Sequence, residues 1–121
     1  MSTIRNFEDL EIWKKARVIT KQVYRDFMNN KDYGFKDQIQ RASVSIMNNI
    51  AEGFRRQSDR EKLNFFNYAL GSANEVKNMY YVAEDIEYLS VNQCLERRNS
   101  VQGLMNGIAS LMNYLRNHNS K

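Results

Sequence analysis

Residues 58–88 read SDREKLNFFNYALGSANEVKNMYYVAEDIEY, and the fold class follows from them. Ser58 followed three positions later by Glu61 is a capping box, the signature of a helix start. Phe66, Ala69, Ala73, Val76, Tyr80 and Ala83 then recur at alternating steps of three and four. That is heptad spacing, which gathers them on one helix face and favours the shallow packing angle of left-handed bundles. The spacing predicts a helix over 59–88, about 45 Å long.

Upstream, Ile39, Ala42, Ile46, Ile50 and Gly53 fall within an arc of roughly 80° at 100° per residue, predicting a helix over 36–54 in which Gly53 reads as the C-terminal stop. Further upstream, Asn6 is a good N-cap with Glu8 and Asp9 in the first turn, and Ile12, Ala16, Ile19, Val23 and Phe27 mark one face of a helix over 7–28. Residues 30–34 (NKDYG) form the connecting loop. Downstream, Ser90 and Gln93 make a second capping box for a helix over 91–117, with Val101, Leu104, Met105, Ile108, Leu111, Met112 and Leu115 as its stripe and residues 117–121 as a frayed tail. The expected fold is a single all-α domain, residues 1–121, folded as an antiparallel up-down-up-down left-handed four-helix bundle.

Composition agrees and narrows the chemistry. The chain has 121 residues, 42% of them hydrophobic, and no proline, which removes the usual punctuation of turn-rich β-folds. The one cysteine, Cys94, makes no intramolecular disulfide and suits a reducing compartment. No apolar run approaches the ~20 residues needed to span a bilayer, and the N-terminal MSTIRNFEDLEIW carries acids, unlike a signal peptide. A cytoplasmic protein is expected, without membrane association.

Catalysis finds little support. Di-iron bundles need Glu-x-x-His pairs on facing helices, whereas Glu84 and Glu87 have the spacing without a histidine. The one histidine, His118, lies near the C-terminus with no arginine four to six residues before it. No catalytic residue, metal, cofactor or small-molecule substrate is expected.

Several helix faces exceed what one bundle needs. Helix 2 carries a second apolar strip, Val44, Met47 and Ala51. Helix 3 carries Phe65, Tyr68, Met79, Val82 and Ile86. Helix 4 places Gly103, Gly107 and Ser110 away from its stripe, and each glycine costs about 1 kcal/mol in a helix interior. Close approach of another copy would account for them, so a homo-oligomer is expected, with Val44, Met47, Ala51, Gly103 and Gly107 at its interface. A third face of helix 2, Gln38, Arg41, Ser45, Asn49, Glu52 and Arg56, alternates short polar groups with charges, as a hydrogen-bonded network at a helix contact would.

This stretch is also where the sequence resembles a known family. The segments 38–46 (QIQRASVSI) and 49–56 (NIAEGFRR), which include Gly53, are similar to the signature of the four-helix-bundle proteins encoded in intervening sequences of bacterial 23S rRNA genes. Residues 7–16 (FEDLEIWKKA) resemble the family's N-terminal motif, and Ala69-Leu70-Gly71-Ser72 with Glu75 its helix 3 motif. The resemblance extends from Phe7 to about Leu115. It implies a cytoplasmic left-handed bundle assembled as a homopentameric ring, for which RNA binding is the usual proposal. The family commonly has proline where this chain has Met47, so an unkinked helix 2 is expected, with Met47 packing against a neighbour.

The charge pattern fits RNA. Arg55, Arg56, Arg60 and Lys62 cluster around the helix 2–3 turn, and Lys14, Lys15 and Arg17 form a second cluster followed by Lys21. Four acids between Glu75 and Glu87 face only Lys77, so the long axis reads as basic near one turn and acidic near the other. The net charge of +4 would be repeated around a ring as one basic rim able to attract phosphate. The alternative is a scaffold or adaptor that docks a partner protein without binding nucleic acid itself. No base-reading motif is present.

Overall fold

The computed structural model describes residues 4–119. Among them it contains four α-helices and no strand: α1 Glu11–Asp26, α2 Tyr33–Arg55, α3 Asp59–Asp85 and α4 Val91–Asn119, with a 3-10 turn over Phe7–Asp9 before α1. Residues 1–3 and 120–121 of the expected domain lie outside the described residues.

The helices pack as a bundle in which each touches its chain neighbours and α1 closes on α4. Specific pairs give the directions. Gln38 meets Glu75, Ser45 meets Ser72 and Gly53 meets Phe66, so numbers rise along α2 as they fall along α3. The same reversal holds for Lys77–Gln102 and Glu84–Arg98 across α3 and α4.

The four expected stripes form the core. Ile12, Ala16, Ile19, Val23 and Phe27 from the first helical segment are buried. So are Ile39, Ala42, Ile46 and Ile50 from α2, and Phe66, Ala69, Ala73, Val76, Tyr80 and Ala83 from α3. From α4, Val101, Leu104, Ile108, Met112 and Leu115 are buried, while Met105 and Leu111 pack at the edge. At one end of the bundle Phe27 packs against Phe35 (5.3 Å between centroids) and Tyr80 (5.7 Å), and Phe35 meets Tyr88 (5.4 Å). Each such pair contributes about 0.5–1.5 kcal/mol beyond area burial.

The helix ends correct the sequence expectations in several places. Helix 1 begins at Glu11, not at residue 7. Leu10 turns extended, with φ −72° and ψ 130°, and Asn6 makes no side-chain cap. The hydrophobic Leu10 is drawn against the core, and that burial outweighs continuing the helix through the acids. Helix 2 begins at Tyr33, three residues early, because Asp32 accepts from the Phe35 N–H at 3.2 Å as its N-cap. Tyr33 and Gly34 are therefore helical, not loop.

Gly53 is not a stop. The helix continues to Arg55, no glycine has positive φ, and a Cβ at Gly53 would meet the Phe66 ring at 2.8 Å. Its job is close approach of α2 to α3. Helix 3 ends at Asp85, not at residue 88. Glu87, at φ 61°, closes a Schellman motif in which the Tyr88 N–H reaches the Ala83 carbonyl (2.8 Å) and the Glu87 N–H that of Glu84 (3.1 Å). Both capping-box serines act as expected: Ser58 accepts from the Glu61 N–H and Ser90 from the Gln93 N–H, each at 3.1 Å. At the far end, α4 is helical through Asn119 where a frayed tail was expected from 117.

Candidate nucleic-acid interface

Exposed cations concentrate on α1. Lys14, Arg17, Lys21 and Arg25 lie within about 80° of arc at 100° per residue, and all four are exposed, with Lys15 exposed beside them. Lys14 pairs with Glu11 at 3.4 Å and the Arg17 guanidinium stacks over Trp13 at 5.6 Å. No acid along the rest of the ridge pairs with Lys15, Lys21 or Arg25 among the described residues. Val18, 55% exposed, sits in the middle of this face.

The cluster at the α2–α3 turn is different. Arg55 and Arg60 are exposed, Arg55 pairing with Glu52 at 3.1 Å. Arg56 is engaged within its own subunit. It contacts Glu52 at 2.8 Å and Glu61 at 3.2 Å and covers the Phe65 ring at 4.6 Å. Lys62 is also structural: its ammonium donates to the carbonyls of Phe54 (2.6 Å) and Gly53 (3.4 Å), closing the C-terminal end of α2, where the helix dipole favours a cation. Burial pushes its pKa down, partly opposed by Asp59.

The polar face of helix 2 does meet α3. Gln38 donates to Glu75 at 3.2 Å, the Ser45 and Ser72 hydroxyls pair at 2.9 Å, and Asn49 donates back to Ser45. Glu52 joins through Arg56. Arg41 does not, since it pairs with Asp37 on the outer surface, where both side chains are well exposed. Such exposed pairs contribute little, about 0–1 kcal/mol.

Of the four acids at the expected acidic end, Glu84 alone pairs with a cation among the described residues, while Glu75, Asp85 and Glu87 are exposed. Arg98 pairs with Glu84 at 2.8 Å and covers the Tyr81 ring at 4.0 Å. Arg97 grips Asp26 through two nitrogens, at 2.8 and 3.1 Å, while the Tyr80 hydroxyl donates to the same carboxylate at 2.8 Å. Burial, then the Asp26 charge, pushes the Tyr80 hydroxyl pKa well up, and Asp26 holds the Arg97 guanidinium firmly protonated. Charge counted along α3 alone misses this cluster. Two adjacent arginines in the first half of α4 are its one signal in the sequence.

The expected interface residues divide. Val44, Met47 and Ala51 are half-buried, and Met47 packs at the edge of its own core in an α2 that runs without interruption through that position. Gly107 faces α1 of its own chain, where a Cβ would meet Ile12 at 3.1 Å, while a Cβ at Gly103 would meet nothing within 4 Å. Of the extra apolar groups expected on helix 3, Tyr68 (57% exposed) and Val82 on α3 and its C-cap Ile86 are open to solvent, whereas Met79 is buried in the subunit's own core.

Residues 8–110 match the 23S rRNA-intervening sequence protein family. The chain belongs to that family. A crystal structure of a protein of unknown function from the S23 ribosomal protein family of Bacteroides thetaiotaomicron is similar to it. That match has a TM-score of 0.78 and 25% identity, covering 84% of this chain and 97% of that one. No curated protein matches the chain. Among the described residues no helix is long and apolar enough to cross a membrane, and no group of three or more His, Cys, Asp or Glu side chains could hold a metal ion.

Proposed function

We propose that this chain is a non-enzymatic, oligomeric RNA-binding protein of the cytoplasm, built on a left-handed up-down-up-down bundle. The observation that carries the reading is the α1 ridge: Lys14, Lys15, Arg17, Lys21 and Arg25 exposed together, with Lys14 alone in a salt bridge to an acid. Arg55 and Arg60 give the α2–α3 turn a further pair of exposed cations able to meet phosphate. Arg56 and Lys62, bound up in contacts within the subunit, hold that turn in place instead. Copies assemble through the apolar groups left open on α3 and at the edge of α2, five to a ring by the family resemblance. Repetition then multiplies a modest charge into a continuous basic surface.

RNA affinity measured across a salt series tests this. Binding is expected to weaken steeply with salt. Replacing Lys14, Lys15, Arg17 and Lys21 with alanine should lower the slope of log affinity against log salt by about one unit for each phosphate no longer neutralised. No measurable binding at ~50 mM salt sinks the reading. A second reading, a scaffold that docks a protein partner, is favoured by one observation: Val82 and Ile86 at the C-terminal end of α3, and Tyr68 further up the same face, are exposed apolar groups near the acids Glu75 and Asp85.

A further inference from the structure

The seam between α1 and α4 is closed at one level and open at another. At Gly107 the helices nearly touch, with Ile12 3.1 Å from where a Cβ would be. One turn earlier, at Gly103, the space is empty to 4 Å. A groove of about 430 Å³ opens there, within the ~300–1,000 Å³ usual for ligand sites. Val18 and Ile19 supply apolar wall, Gly103 leaves the floor open, Asn99 flanks it, and Lys14 and Lys15 stand on its rim.

One atom in this groove is unexplained. The side-chain oxygen of Gln22 is buried and accepts no hydrogen bond, so a donor in the groove reaches it only when the terminal amide turns outward. An unsatisfied buried acceptor costs about 1–3 kcal/mol, a cost that a donor arriving with a ligand would remove. An occupant that matches this lining is apolar on its faces, carries an N–H on its edge, and is joined to an anion that the two lysines can meet.

We propose that this groove receives an unstacked nucleobase of single-stranded RNA, its edge N–H donating to Gln22 and its phosphate lying against Lys14 and Lys15. The assignment rests on the RNA-binding reading and specifies its substrate. Unpaired bases can be splayed into protein grooves, whereas bases in an A-form duplex stay stacked and out of reach. Duplex RNA would still be held by the α1 ridge through charge alone.

The test compares a labelled single-stranded oligonucleotide with its duplex, using the full chain and two variants. Gly103→Leu fills the groove from a position where a side chain meets no obstacle, and Gln22→Leu removes the acceptor without adding bulk. Both should weaken single-strand binding about tenfold, as expected when one base loses its seat, and leave duplex binding unchanged. Single-strand affinity equal to wild type in both variants overturns the assignment while leaving RNA binding intact. So does a change of oligomeric state in Gly103→Leu, which would give the groove to a second copy. Absence of all RNA binding by the wild-type chain fells the underlying reading and this one with it.

Discussion

Glu87 shows how much a single backbone angle can matter. Its φ of 61° lies in the left-handed region, which costs a non-glycine residue about 1–2 kcal/mol, and it is held there by the Schellman bonds that end α3. Glu87→Gly removes the strain and loses part of the gain to the greater freedom of glycine in the unfolded chain. A net stabilisation of about 0.5–1 kcal/mol is expected, seen as a thermal midpoint a few degrees higher. A lower midpoint would contradict this account of the α3 terminus. In the sequence this position looks like one more acid of a helix, because no glycine marks the stop.

At the scale of elements, the crossing of α2 and α3 depends on Gly53. The ring of Phe66 is 2% exposed and cannot swing aside, so the methyl of Gly53→Ala would be forced to 2.8 Å from it. Alanine gains up to about 1 kcal/mol in helix propensity, and the overpacking costs about 1–3 kcal/mol. The clash prevails, so the urea midpoint should fall at unchanged slope. A midpoint equal to or above wild type would show that the helices separate at little cost. The α2 stripe is legible from spacing alone, and Gly53 belongs on it. Its role is not legible, because a glycine that stops a helix and one that admits a neighbouring ring look the same until the neighbour is present.

At the scale of the bundle as a whole, two open features bear on assembly and binding: the cationic ridge of α1, and the exposed apolar groups Tyr68 and Val82 on α3 with Ile86 at its C-cap. If the second holds copies together, Tyr68→Ser with Val82→Ser should reduce the sedimenting mass while helicity stays unchanged, since neither residue is buried in the subunit. Wild-type protein that sediments as a monomer at micromolar concentration would refute the oligomer. Charge at this scale is the least legible property. The acids between Glu75 and Glu87 suggest a negative end, and Glu75, Asp85 and Glu87 stay exposed, but Arg98 crosses from α4 to Glu84, and Arg97 crosses to Asp26 on α1, an acid outside that stretch. Linear charge counts miss pairs formed between helices.

Spacing along the chain was enough for the number and type of elements, their apolar stripes and both capping boxes, and the motifs were enough for the family. Each of these depends on neighbours within one helix, and helical periodicity is local. Packing settled what happens where two helices meet. It made Gly53 a residue of close approach, made Arg56 and Lys62 braces of the turn, and buried the Asp26–Arg97–Tyr80 cluster. It also left the groove at Gly103 open while closing the seam at Gly107. Those outcomes depend on distances of a few ångströms between residues far apart in the chain, and no one-dimensional pattern carries that information.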